Sequence, residues 1–146
     1  MGYRHILAAI DTTEDAKEVL SAAQQLAEDH GATLSLVMVI KSFRQVYSVI
    51  DAPNIASLEE GAINEARKCL IKHARTLGLT EDRVFVLRGN PAVEIRNLAK
   101  ELDAGAIVIG THGRDGISLM FLGSTVRGVL CGASCDVLAI RISQAA

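Results

Sequence analysis

Four small residues near the C-terminal end carry the most specific chemistry in this chain. Two residues separate Gly110 from Gly113, nine more follow, and then come Gly123 and Ser124. The apolar run Ala106–Ile109 leads into this set, and a helix-compatible segment from Ser124 to Cys131 leaves it. Glycine lets a backbone approach an anion closely and adopt conformations closed to other residues. A helix start adds unpaired N–H groups and the positive end of a dipole. A strand, then glycines, then a helix start suits a bound phosphate, and the spacing points to a nucleotide.

The neighbouring residues take roles from that reading. Gly110 and Gly113 let the loop fold beneath ribose and phosphates; the plainer alternative is a sharp exit from the strand. Gly123, Ser124, Thr125 and Val126 present backbone N–H groups, two with hydroxyls, to the outer phosphates. Ser124 equally suits a helix N-cap. Arg114 is spaced to meet phosphate charge, or else is a solvated loop arginine. His112 lies inside the glycine pair and is expected to offer its backbone N–H. No carboxylate is spaced to orient its ring, so no catalytic residue is assigned. Asp11 ends the first strand, where it suits a nucleotide hydroxyl or a water of phosphate-bound Mg²⁺; a helix N-cap is the alternative. Ala9 and Ile10 line the pocket floor. Ile117 and Leu119–Leu122 form an apolar loop that suits a flap, a dimer contact or core packing.

These residues need elements to position them, and the chain supplies strands alternating with helices. Strands are expected at Arg4–Asp11, Leu34–Ile40, Arg83–Leu87, Ala106–Ile109 and Asp136–Ile142. Between Thr13 and His30, residues Ala16, Val19, Leu20, Ala23, Leu26 and Ala27 fall on one helical face, and Gly31 ends it. Residues 41–56, with Pro53, read as irregular. Ser57–Glu60 reads as a capping box opening a helix whose face is Ile63, Ala66, Leu70, Ala74 and Leu77, closed by Gly78. Asn90 and Pro91 read as an N-cap and a first helical proline for a helix burying Ile95, Leu98, Ala99 and Leu102. A last helix runs from Ser124 to about Ala133. Alternating elements imply a parallel sheet with right-handed crossovers. Ligands then bind beyond the strand C-terminal ends, where strand order reverses. If the first and fourth strands are neighbours, Asp11 faces the glycine set.

Composition narrows the classes. The 146 residues suit one domain, 1–146, with 49% hydrophobic and 22% charged residues but only 3% aromatic. A core of Ala, Val, Ile and Leu suits a parallel sheet covered by helices. A net charge of −2 gives no reason to expect nucleic acid, and no apolar run reaches transmembrane length. The first residues enter structure at once without a leader, so a cytoplasmic protein is expected. Cys69, Cys131 and Cys135 are expected to be buried free thiols; a metal site needs about four ligands, and no direct metal ligand set is found.

Taken together, these segments resemble the universal stress protein family across nearly the whole chain. Tyr3–Asp11 is similar to the family's opening strand and acidic residue, Arg88–Pro91 to its glycine–x–proline turn, and Cys135–Arg141 to its final strand. The family's ATP-binding branch carries Gly-x2-Gly-x9-Gly-(Ser/Thr), matched here by Gly110, Gly113, Gly123 and Ser124. The stretch Val46–Asp51 is similar to a run in the branch that does not bind nucleotide. The resemblance implies a doubly wound α/β domain of the adenine nucleotide alpha hydrolase type, with five parallel strands ordered 3-2-1-4-5 and helices on both faces. It also implies ATP with Mg²⁺ across strands one and four, and a homodimer through the last strand. Val39 then contacts adenine through its backbone, and Gly89 borders the base.

Three functions remain open on these residues. The first is an ATP-dependent regulatory module with an unidentified protein partner. The second is a slow ATPase or an enzyme autophosphorylating at Ser124 or Thr125, without the lysine of a P-loop. The third is a nucleotide-free dimeric interaction protein. A phosphorelay receiver is rejected, because Leu87–Gly89 lacks its aspartate and Arg141–Ser143 lacks its lysine.

Overall fold

The computed structural model describes residues 2–11, 16–41, 55–111 and 123–142. Along them run β1 (His5–Ala9), α1 (Ala16–His30), β2 (Thr33–Ile40), α2 (Ile55–Thr76), β3 (Val84–Arg88), α3 (Pro91–Glu101), β4 (Ala106–Gly110), α4 (Ser124–Gly132) and β5 (Asp136–Ile140). All strand pairings are parallel, and the order is β3-β2-β1-β4-β5, as expected.

The central strand shows why the sheet is covered twice. Ile6, Ala8 and Ile10 point into a core shared with α1 and α2. Leu7 and Ala9 point the other way, into a core shared with α3 and α4. A strand buried on both faces reads as a continuous apolar run, whereas one wet face would impose alternation. Ile6, Leu7, Ile107 and Val108 are all fully buried. Truncating one such side chain to alanine costs about 2–5 kcal/mol.

The helix punctuation follows the local chemistry. Gly31 and Gly78 take φ of +62° and +73° after α1 and α2, a left-handed turn that glycine adopts without Cβ strain. Asn90 accepts a hydrogen bond from the Val93 N–H at 3.2 Å, and Pro91 opens α3. The apolar face of α1 is buried as its spacing predicts, with Leu26 half-buried.

Several expectations need correction. The helix α2 already begins at Ile55, so Ser57 lies within its first turn and does not cap it. A 3-10 turn takes Glu81–Arg83, which moves β3 one residue on and brings Arg88 into the strand. The strand β4 extends through Gly110, and β5 stops at Ile140. The cysteines are not fully buried: Cys131 is exposed, and Cys69 and Cys135 are half-buried. Burial, with the Asp136 charge beside it, raises the Cys135 thiol above its ordinary pKa. The irregular stretch with Pro53 and the Val46–Asp51 run fall almost wholly outside the described residues. Among the described residues, no helix is long and apolar enough to cross a membrane.

Candidate functional site

Strands β1 and β4 are neighbours, with Ala9 opposite Ile109. The chain leaves β1 towards α1 on one face, and leaves β4 towards α4 on the other. The two exits thus diverge at neighbouring strands, the position where doubly wound sheets take ligands. Asp11, two residues beyond β1, is half-buried at that edge and holds an interaction of its own. Ala9 and Ile10 are buried beneath it.

The glycine set is drawn together by the backbone. The Gly123 N–H donates to the Thr111 carbonyl at 3.0 Å, so the two ends of segment 112–122 meet. Thr111 is itself tied to the end of β5. Its N–H donates to the Ile140 carbonyl at 2.9 Å, and its hydroxyl accepts from the Ile142 N–H at 3.4 Å. The start of α4 is thereby held at the end of β4. Sequence reasoning passed over Thr111, whose signal was only its place between the glycines.

The first intrahelical bond of α4 runs from the Arg127 N–H to the Gly123 carbonyl at 3.1 Å. The N–H groups of Ser124, Thr125 and Val126 precede it and have no acceptor within the helix. Gly123 is the N-cap residue, with φ −62° and ψ 157° and no side-chain cap bond. Ser124 is therefore the first helical residue and not the cap, which corrects that alternative. Ser124 is exposed, Thr125 half-buried and Val126 buried, so the turn is rooted in the core while its leading edge faces solvent. Such a turn offers backbone donors and a positive dipole end to an anion.

Gly110 has a different reason to be glycine. A Cβ there would lie 3.1 Å from Ile142 Cδ1 and 3.2 Å from Val19 Cγ2. Side chains from α1 and the segment after β5 pack closely over the strand end and would have to give by a few tenths of an ångström. Gly89 takes φ +140°, a conformation that favours glycine, and its N–H donates to the Ile40 carbonyl at 3.0 Å.

Val39 lies one step further along β2. Ile10 donates to Val37, whereas Gly89 donates to Ile40. Odd residues of β2 thus direct their backbone groups towards β1 and even ones towards β3, as a parallel ladder requires. Val39 accordingly turns its polar backbone to the β1 side. His112, Gly113, Arg114 and the apolar run Ile117–Leu122 lie outside the described residues.

One group at this end of the sheet escaped the sequence reading. Glu59, 4% exposed, accepts from Arg88 Nη1 at 3.1 Å. The signal was present, since Glu59 stands seven residues before Ala66 on the apolar face of α2. A buried carboxylate is tolerable only when paired, and Arg88 supplies the charge while staying over half exposed. Among the described residues, no cluster of three His, Cys, Asp or Glu is arranged to hold a metal.

Residues 2–141 match the Universal stress protein family. The chain is 37% identical over 145 residues to universal stress protein A homolog 1 of Coxiella burnetii, covering 99% of this chain and 100% of that one. The fold is similar to that of the universal stress protein UspA from Lactobacillus plantarum, with a TM-score of 0.81 at 23% identity over 97% of this chain and 99% of that one. It is also similar to a universal stress protein solved in complex with cAMP, with a TM-score of 0.62 at 20% identity over 98% and 100%. The order of the strands, the glycine-bounded segment and these matches agree: the chain belongs to the universal stress protein family.

Proposed function

We propose that this protein binds ATP, with Mg²⁺ carried on the phosphates, and acts as a nucleotide-dependent regulatory module of the cytoplasmic stress response. The observation that carries the reading is the bond from Gly123 to Thr111. It brings the first N–H groups of α4, which have no acceptor within the helix, to the end of β4, beside β1. Phosphates lie against Gly123–Val126, with Gly113 and Arg114 on the loop. Asp11 takes a ribose hydroxyl or a Mg²⁺-bound water, and the Val39 backbone and Gly89 border the base. The cAMP complex of a relative of the same fold supports an adenine nucleotide as the ligand class.

Regulation follows from the same segment. ATP biases segment 111–122 only by the difference between its affinities for that segment's states. A partner protein reads the loop. Phosphoryl transfer needs a positioned nucleophile and stabilised charge; the reading assigns no catalytic residue, and slow hydrolysis is its upper bound. The edge strand β5, with Leu138 41% exposed, supports pairing with a second copy of the chain.

The test is the nucleotide that accompanies the purified protein, released by denaturation and identified by chromatography with mass detection. ATP near one per chain is the expected result. An empty protein that also fails to bind ATP with Mg²⁺ in direct titration overturns the reading.

A further inference from the structure

Two glycines on α4 have reasons unrelated to its N-terminal turn. A Cβ on Gly128 would lie 2.5 Å from the Cβ of Ala92 on α3, closer than such atoms approach. A Cβ on Gly132 would lie 2.7 Å from the Arg96 guanidinium carbon and 2.9 Å from its Cδ. Arg96 Nη1 also donates to the Gly128 carbonyl at 3.2 Å. So α3 meets α4 along a seam in which Ala92 covers Gly128 and Arg96 covers Gly132.

The seam is costly in local terms. Each glycine inside a helix is less favourable than alanine by about 1 kcal/mol, and isolated helices under about 12 residues are marginal. The helix α4 has nine residues, two of them these glycines. Its order must come from packing: Val126 and Val129 in the core, and the seam with α3. The Arg96 cation also sits over the C-terminal half of α4, where it offsets the negative end of the dipole.

We infer that Arg96 and the Ala92–Gly128 contact are positioning residues: they fix where the first turn of α4 points, and thereby its affinity for a phosphate group. The inference rests on the nucleotide reading above. It names residues on α3, a different element from the phosphate-binding turn they hold.

The experiment compares ATP with adenosine, because only ATP reports on the phosphate end. Arg96→Met is expected to weaken ATP about tenfold, the equivalent of one charge-assisted hydrogen bond, and to leave adenosine within about twofold. Arg96→Lys should recover part of the loss. Gly128→Ala should act like Arg96→Met, and Ala92→Gly in the same chain should restore ATP binding by returning the space. Equal losses for ATP and adenosine, or unchanged ATP affinity in both folded single variants, overturn the inference. Amide exchange across residues 124–132 is followed on the same samples and should speed up in Arg96→Met. Unchanged exchange there overturns the positioning role even if the parent protein binds no ATP, a result that separately overturns the nucleotide reading.

Discussion

The two ends of the sheet are built from similar residue types and hold their polar groups differently. At the N-terminal end, polar side chains satisfy one another. The Tyr3 hydroxyl donates to Asp136 Oδ2 at 2.7 Å, its N–H donates to His30 Nδ1 at 3.2 Å, and its ring packs on His30. His5 Nε2 and Ser35 Oγ share a bond of 2.7 Å, with Ser35 almost wholly buried. Gly105 lets Tyr3 close in, since a Cβ there would lie 2.8 Å from the Tyr3 ring. At the C-terminal end, the donors are backbone N–H groups at a helix start whose N-cap residue, Gly123, has no side chain to cap them. At one end side chains pair with side chains across the sheet; at the other the first turn of a helix is brought to a strand end, where the proposed function places its ligand. The difference lies in where the glycines sit and which way the helices leave, not in how polar each end is.

The contrast breaks most severely at Gly123. Its φ and ψ are open to any residue, so Gly123→Val should fold. Its branched side chain would stand in the phosphate path, and ATP affinity should fall by roughly a hundredfold, about 2.8 kcal/mol. Gly113→Val is expected to act alike. Calorimetric titration beside a thermal melt checks both, and normal ATP affinity in folded protein removes the phosphate assignment. Asp11→Ala should weaken ATP less, by about 1–2 kcal/mol for one lost polar contact.

A change at the N-terminal end should do the reverse. Ser35→Ala removes the partner of His5 and should cost about 1 kcal/mol of stability. It should leave ATP affinity alone, since Ser35 pairs with Leu7 near the start of β2, far along the strand from Val39. Urea unfolding and nucleotide titration on one preparation test this. A loss of ATP binding equal to that of Asp11→Ala would show that the two ends are not separable.

How far each end could be read in advance follows from the range of the interactions involved. The buried strand Ile6–Ile10 and the helical face Ala16–Ala27 were legible as local patterns imposed by burial, whereas the strand order followed only from the resemblance to the universal stress protein family. The glycine set was legible as the join between a strand end and a helix start, because Gly110 closes β4 and Gly123 caps the last helix. The N-terminal end was not. Tyr3 and Asp136 are 133 residues apart, and no periodicity announces a contact of that span. The close packing at Gly110 was missed on the same ground: it comes from Val19 and Ile142, which the fold alone brings near it. Glu59 was hidden by its type, since a lone carboxylate on an apolar helix face reads as an interruption until Arg88 arrives from β3.

The smallest expected effect separates the ends by pH. Burial, reinforced by the Arg83 charge, holds the His5 pKa below its ordinary 6.5, although a backbone contact at Leu102 opposes the shift. His73 on α2 is lowered as well, by burial and then by Lys72 and Lys17. A histidine with a depressed folded pKa is kept neutral by the fold, so between that pKa and 6.5 the unfolded chain binds more protons. Stability then rises with pH through this window, is fully present above about 6.5, and is lost as pH falls towards the folded values. The urea midpoint should therefore decline between pH 7.5 and 5.5, above the range where ordinary carboxylates titrate. Replacing His73 by Gln and His5 by Gln should flatten the decline, because neither amide titrates, while glutamine at position 5 can still offer a polar partner to Ser35. A decline that persists unchanged in the double variant would assign the proton uptake elsewhere, and the N-terminal end would lose its claim to titrate as part of the fold.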